Sequence, residues 1–156
     1  MPRPIFKKID LIQLITKSSE LIKMTSKNSI NVIKNTYDKF IEGDEDQLNR
    51  VMINLIKNSE EALEDIKQKD PNFKGNIDIE INDNNDYIII VLTDNGTGIT
   101  DAKKAMTPYF TTKKTGTGLG LPIVTKIINE HSGKFSIKNK SDKSGTIVTI
   151  SLPKYV

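Results

Sequence analysis

Three groups of residues have the types and spacing to do chemistry. Asn54 and Asn58 fall four apart, so on a helix they share one face. Each offers a neutral carbonyl oxygen, and Asn58 can hold a magnesium ion that already carries phosphate charge. The plainer alternative is a pair of exposed or locally hydrogen-bonded amides. Asp94 opens the run Asp94-Asn95-Gly96-Thr97-Gly98. A carboxylate fixed there can accept a hydrogen bond from an exocyclic amine such as adenine's. Gly96 and Gly98 let a ligand ring approach the backbone, or let the chain take φ > 0. An ordinary Asp-Asn-Gly turn has the same composition. Gly116-Thr117-Gly118-Leu119-Gly120-Leu121 leads into a helical pattern, where backbone N–H groups and the helix dipole favour an anion. Lys113 and Lys114 stand beside it to balance phosphate charge, and a solvated loop is the alternative. No apolar strand precedes this stretch and no Gly-Lys-Ser/Thr follows it. It is therefore neither the dinucleotide fingerprint nor a Walker A loop.

Composition narrows the chemistry further. The 156 residues contain no cysteine and one histidine, His131. Thiol nucleophiles, disulfides, cysteine-ligated metals and histidine-cluster sites are excluded. A metal here should be a hard cation on oxygen ligands, with magnesium the foremost candidate. Basic residues exceed acidic ones by 23 to 20, a net charge of +3, which does not mark a nucleic-acid binder but leaves room for a local phosphate site. No apolar run approaches the roughly 20 residues that span a bilayer, and the N-terminus does not continue into a signal peptide. The chain reads as a cytosolic piece with no membrane contact of its own.

The elements that must position these residues follow from periodicity. Residues 1–9 read as an extended leader, the remnant of a connector, and 10–156 as one domain. Asp10 is a candidate N-cap for a helix carrying Leu11, Ile12, Leu14, Ile15, Leu21, Ile22 and Met24. Ser29 to Phe40 reads as a strand, with Ile30, Val32 and Tyr37 alternating. A long helix is predicted from near Asp44, with Leu48, Val51, Met52, Leu55, Ile56, Ala62 and Leu63 as its apolar stripe and Pro71 barring its continuation. Ile77, Ile79 and Ile81, a polar turn, and the apolar run Tyr87 to Leu92 predict a hairpin whose second strand is central. A short helix is expected over Asp101 to Met106, a loop from Thr111 to Gly120, and a helix from Leu121 to Asn129 ended by Ser132-Gly133. Phe135/Ile137 and Ile147/Ile150/Leu152 make a last hairpin. The fold class is α/β: a two-layer sandwich with a mixed sheet of about five strands and about three helices on one face.

Taken together, the motifs resemble the ATP-binding catalytic domain of sensor histidine kinases, within the group that includes DNA gyrase B, Hsp90 and MutL. Leu48 to Ala62 resembles the N box, with Asn58 matching the magnesium-binding asparagine. Asp94 to Gly98 resembles the G1 box, with Asp94 matching the adenine-recognising aspartate. Pro108 to Lys113 resembles the F box, and Gly116 to Leu121 the G2 box. The likeness covers nearly the whole chain. Within the family it is strongest toward nitrogen-regulation kinases of the NtrB/NtrY type, whose lid between F and G2 boxes is likewise short.

That resemblance implies a set of roles. Asp94, Gly96, Gly98 and Ile99 would position adenine, with Thr146 helping Asp94. Asn58, assisted by Asn54, would hold Mg²⁺ against the triphosphate of ATP. Phe110, Thr112, Lys113, Lys114 and the backbone of Gly116, Thr117, Gly118, Leu119, Gly120 and Leu121 would enclose the phosphates. Asn54, Asn58 and Lys113 are the catalytic candidates. Many histidine kinases carry a lysine three residues after the magnesium asparagine. This chain has Glu61 there and Lys57 just before Asn58, so Lys57, Lys113 and Lys114 all remain phosphate candidates. In the gyrase and MutL branch a glutamate one turn before the asparagine activates water. Asn54 occupies that position and cannot act as a general base at neutral pH. The implied reaction is transfer of the γ-phosphoryl group to a histidine on a dimerisation domain, with a response regulator downstream and a parent that is a candidate for the bacterial inner membrane. His131, at the end of the helix after the G2 box, reads as a packing residue and not as that acceptor. The alternatives are an anti-sigma-type serine kinase regulator and a non-catalytic nucleotide-dependent interaction module.

Overall fold

The computed structural model describes residues 3–98, 120–141 and 144–156. The helix expected over Asp101–Met106 and most of the following loop lie outside them. Helix α1 (Leu11–Lys23) begins where the Asp10 carboxylate accepts a hydrogen bond from the Gln13 N–H at 3.0 Å. Helix α2 (Glu45–Lys69) begins in the same way on Asp44, whose carboxylate accepts from the Gln47 N–H. The N-cap expected at Asp10 is therefore present, and the helix predicted to start near Asp44 is capped by Asp44 itself. Glu45 and Asp46 in the first turn of α2, and Lys67 and Lys69 in its last, complement the helix dipole. Helix α3 (Gly120–Glu130) buries Val124, Ile127 and Ile128.

These three helices cover one face of a five-stranded sheet. Its strands are β2 (Ser29–Lys34), β4 (Asn76–Asp83), β5 (Tyr87–Asp94), β6 (Lys134–Asn139) and β7 (Thr146–Pro153), in the order β2-β4-β5-β7-β6. The β2–β4 pair is parallel and the other three pairs are antiparallel. Strand β5 is central, as its apolar run predicts. The period of two places Ile77, Ile79, Ile81, Ile88, Ile90, Leu92, Val148, Ile150 and Leu152 in the core. They meet Leu48, Val51, Met52, Leu55, Ile56 and Leu63 of α2, all fully buried or nearly so. Each such side chain contributes on the order of 1.5–3 kcal/mol by leaving water. The hairpin turn after β4 is closed by the Asn84 side-chain Oδ1, which accepts from the backbone N–H groups of Asp86 and Tyr87.

Two features depart from expectation. The stretch Ser29 to Phe40 is not one strand. The Thr36 hydroxyl accepts from the Asp38 N–H at 3.1 Å, turning the chain after β2 and leaving Tyr37 wholly exposed. Strand β3 (Phe40–Gly43) then pairs not with the main sheet but with β1 (Lys7–Asp10), in the register Lys7↔Gly43 through Asp10↔Phe40. Lys7–Asp10, within the segment that reads as an extended leader, is thus held by a strand partner. No helix among the described residues is long and apolar enough to cross a membrane.

Candidate functional site

Helix α2 supplies the first wall. Asn54, Asn58 and Ala62 follow one another at intervals of four on its surface, and Ser59 is one residue further toward the core. Asn54 and Asn58 are half-buried, Ser59 and Ala62 buried, and Lys57 exposed. The second wall is the end of β5. Asp94 is only 3% exposed, because the period of two that buries Leu92 also turns Asp94 inward. Its Oδ2 accepts from the Ser59 hydroxyl at 2.8 Å, and its Oδ1 accepts from the Gly96 N–H at 2.9 Å. Strand β7 closes the third side, with buried Thr146 opposite Asp94 in the β5–β7 register.

The loop after Asp94 is held on both flanks. A side chain on Gly96 would bring its Cβ to 2.7 Å from the Ala62 Cβ, so the glycine allows the loop to lie directly on α2. Asn95 points the other way: its Oδ1 accepts from the Asn76 N–H at 2.7 Å and its Nδ2 donates to the Lys74 carbonyl at 3.1 Å. The Ser144 hydroxyl donates to the Gly96 carbonyl. Gly98 has φ +82, the left-handed region expected of one of these glycines. Gly145 has φ +141, and a Cβ there would lie 2.2 Å from the Asp94 carbonyl oxygen. The chain therefore passes the carboxylate's own backbone with no room for a side chain.

Helix α3 brings the fourth element. A Cβ built on Gly120, its first residue, would stand 3.6 Å from the Asn58 Nδ2 and 3.8 Å from its Oδ1. The asparagine amide thus stands directly beside the N-terminal end of α3. Leu121 packs against the core. Of the sequence-predicted site residues, Asn54, Asn58, Asp94, Gly96, Gly98, Gly120, Leu121 and Thr146 have described positions, and α2, β5, β7 and α3 bring most of them together. Lys57 is on α2 but exposed. Ile99, Phe110, Thr112, Lys113, Lys114, Gly116, Thr117, Gly118 and Leu119 lie outside the described residues.

Sequence reasoning missed Ser59 and Asn95. The signal for Ser59 was a hydroxyl directly after Asn58 on a helix otherwise rich in Leu, Ile and Val; Asn95 gave none beyond its place in the turn. Glu60 accepts a hydrogen bond from the Asn28 Nδ2, so this carboxylate is engaged with the loop before β2. Among the described residues no three His, Cys, Asp or Glu side chains cluster as a metal site. A cation at Asn58 would have to arrive with its charge already compensated. A neutral amide oxygen beside a helix N-terminus suits a magnesium ion carried by phosphates.

A four-motif site on a mixed sheet with one helical face is matched in known proteins. The family model of the histidine kinase-, DNA gyrase B-, and HSP90-like ATPases matches residues 43–156, and the chain belongs to that family. It is an ATP-binding catalytic domain of the sensor histidine kinase kind. It is 41% identical over 148 residues to sporulation kinase B of Bacillus subtilis (strain 168), an alignment covering 92% of this chain and 33% of that protein. A Rickettsia typhi protein named as an NtrY-like sensor histidine kinase is 35% identical over 153 residues, covering 96% of this chain and 24% of that protein. Among solved structures, the nucleotide-free catalytic domain of histidine kinase ThkA superposes with a TM-score of 0.81 at 29% identity, covering 96% of both chains. The chain thus spans a third or less of the length of these two relatives.

Proposed function

We propose that this chain binds ATP with magnesium at the Asp94–Asn58–Gly120 site and passes the γ-phosphoryl group to a histidine on a dimerisation domain of the same parent kinase, from which a response regulator receives it. The observation that carries the reading is Asp94. A carboxylate offers about four acceptor positions, and this one is buried with two protein donors and no cation beside it among the described residues. Burying such a group is costly unless further donors reach it, and the exocyclic amine of adenine is a donor of the right kind. Asn58 would hold the magnesium, which supplies charge neutralisation at the phosphates when bound. The N-terminal end of α3, with Lys113 and Lys114, would steady the phosphate oxygens. The protein's part is positioning and charge stabilisation, as in phosphoryl transfer generally.

Hydrolysis of ATP by a protein base is poorly supported. The position one turn before Asn58 is Asn54, and Glu60 is hydrogen-bonded to Asn28. Nucleotide titration tests the binding half. Asp94→Asn should weaken MgATP by about 30- to 100-fold, the loss expected for a hydrogen bond to a charged group. Asn58→Ala should remove most of the magnesium dependence of ATP affinity. Unchanged affinity in both variants would overturn the site. Incubation with a separately supplied dimerisation domain tests the transfer half. Acid-labile phosphate on its histidine is expected; acid-stable phosphoserine on a partner points to the serine kinase, and tight binding without transfer points to the interaction module.

A further inference from the structure

Buried and half-buried hydroxyls on the helices of this protein commonly donate to a carbonyl of their own helix. Thr16 donates to Ile12 at 2.8 Å, Ser19 to Thr16 at 2.8 Å and Thr125 to Leu121 at 2.9 Å, the back-bonding usual for such residues. Ser18 lies at 2.9 Å from the Leu14 carbonyl and also at 2.6 Å from the Asn49 Oδ1 of α2; Ser59 makes no bond to its own helix. It is 4% exposed, and its proton crosses from α2 to the Asp94 Oδ2, a residue 35 positions away. The other oxygen of Asp94 is held by the Gly96 N–H. One donor on each oxygen, from two different elements, fixes the plane of the carboxyl group. It also leaves the remaining lone pairs of each oxygen as acceptors only.

We infer that Ser59 is a positioning residue that sets the base selectivity of the site, favouring a 6-aminopurine over a 6-oxopurine. This rests on the nucleotide reading above. A 6-amino group donates to the free lone pair of a carboxylate held in this way. A 6-oxo group would set oxygen against oxygen, and the Ser59 proton cannot relieve the clash while it is bound to Oδ2. Without the hydroxyl, Asp94 keeps only the Gly96 N–H on one side and can rotate away from the base or take up water. The loss should therefore appear only with ligands that carry the 6-amino group.

Calorimetric titration of the full 156-residue chain with MgATP, with purine riboside triphosphate (hydrogen at position 6) and with inosine triphosphate (oxygen at position 6) tests this. Ser59→Ala should weaken ATP about 5- to 20-fold, change purine riboside triphosphate by less than about twofold, and narrow the preference for ATP over inosine triphosphate by about the same factor as the ATP loss. An equal loss on ATP and purine riboside triphosphate would make Ser59 a packing residue and overturn the inference; so would no loss on ATP. Ser59→Cys, with a weaker donor of similar size, should fall between wild type and alanine and gives the same reading should the alanine variant fail to fold. Asp94→Asn is measured in parallel. If it leaves ATP binding intact, the nucleotide site itself has been misplaced, whatever Ser59 does; if it weakens ATP while Ser59→Ala does not, only the role of Ser59 is lost.

Discussion

Helices α2 and α3 lie against each other with their two ends in different chemical conditions. At one end Asn58 meets Gly120 beside Asp94; at the other, Asp44 meets His131. Each end is organised by an aspartate with a donor on both oxygens. Asp44 receives the Gln47 N–H on Oδ1 at 3.0 Å and the Ile5 N–H on Oδ2 at 2.7 Å. The buried His131 ring completes that end. Its Nδ1 faces the Ile127 carbonyl at 2.7 Å and its Nε2 accepts from the Asp44 N–H at 3.0 Å. This fixes the neutral tautomer with the proton on Nδ1. Phe6 stacks on the imidazole with ring centroids 4.6 Å apart. The Asp44 carboxylate and both imidazole nitrogens at this end have protein partners, while the buried Gln47 Oε1 has none among the described residues; neither imidazole nitrogen is available as a nucleophile. At the Asp94 end the acceptors outnumber the donors the described residues provide, and the half-buried Asn58 amide stands beside the first residue of α3. One end of the helix pair is complete as folded, while the other has capacity for a ligand.

The largest expected effect tests whether the complete end is only structural. His131→Ala removes a stacked ring and leaves the Asp44 N–H without its partner, while the Ile127 carbonyl keeps the backbone N–H of residue 131. It should cost about 3 kcal/mol of stability, from the cavity and the one unsatisfied N–H together. Chemical denaturation measures that loss. MgATP affinity of the folded fraction should change by less than about twofold. An affinity loss as large as the stability loss would join the two ends into one unit and break the comparison. Asp94→Asn should behave in the opposite sense. The amide keeps one acceptor for a donor and loses the charge, so stability should change by about 1 kcal/mol while ATP binding falls by about 2–3 kcal/mol. Thermal unfolding with and without MgATP separates the two: the ligand-induced rise in melting temperature should vanish in Asp94→Asn and persist in His131→Ala.

How much of each end was legible in the sequence follows from the reach of its interactions. Helix α2 and the β4–β5 hairpin were readable because Leu48 through Leu63 and Ile77 through Leu92 repeat with periods set by local geometry. Asp94, Gly96 and Gly98 were readable because a carboxylate and two glycines at a strand exit form a short, ordered motif. The β1–β3 pair was not readable. Each strand has four residues, which is too short for a periodic signal, and their partnership joins residues some thirty positions apart. The link between Ser59 and Asp94 spans 35 residues and that between Asp44 and His131 spans 87. No local pattern encodes such pairs; they exist only once the sheet order has brought the elements together. His131 could be placed at a helix end from the sequence, but its contacts with Asp44 and Phe6 could not.

The smallest expected effect concerns acid. The hydrogen bond from the Gln47 backbone, then that from Ile5, holds the Asp44 carboxyl below the usual carboxylate range; burial opposes this, while the Asp46 backbone adds lesser help. A carboxyl whose native value is depressed releases its proton more readily folded than unfolded. The stability it contributes is therefore complete above the unfolded value near pH 4, and it is lost as pH falls through the lower native value. Asp44→Asn keeps an oxygen for Gln47 but turns an N–H toward Ile5, so the cap survives and the leader is released. At pH 7 the variant should be less stable by about 1 kcal/mol, the modest figure appropriate to a partly exposed cap. The difference from wild type should stay constant down to about pH 5 and shrink steadily below pH 4. Amide exchange at Ile5 and Phe6 should quicken in the variant at pH 7, while exchange in β5 should not. A difference that persists undiminished at pH 3 would mean that Asp44 acts through shape alone. Quickened exchange in β5 would mean that the complete end of the helix pair also holds the ligand end in place.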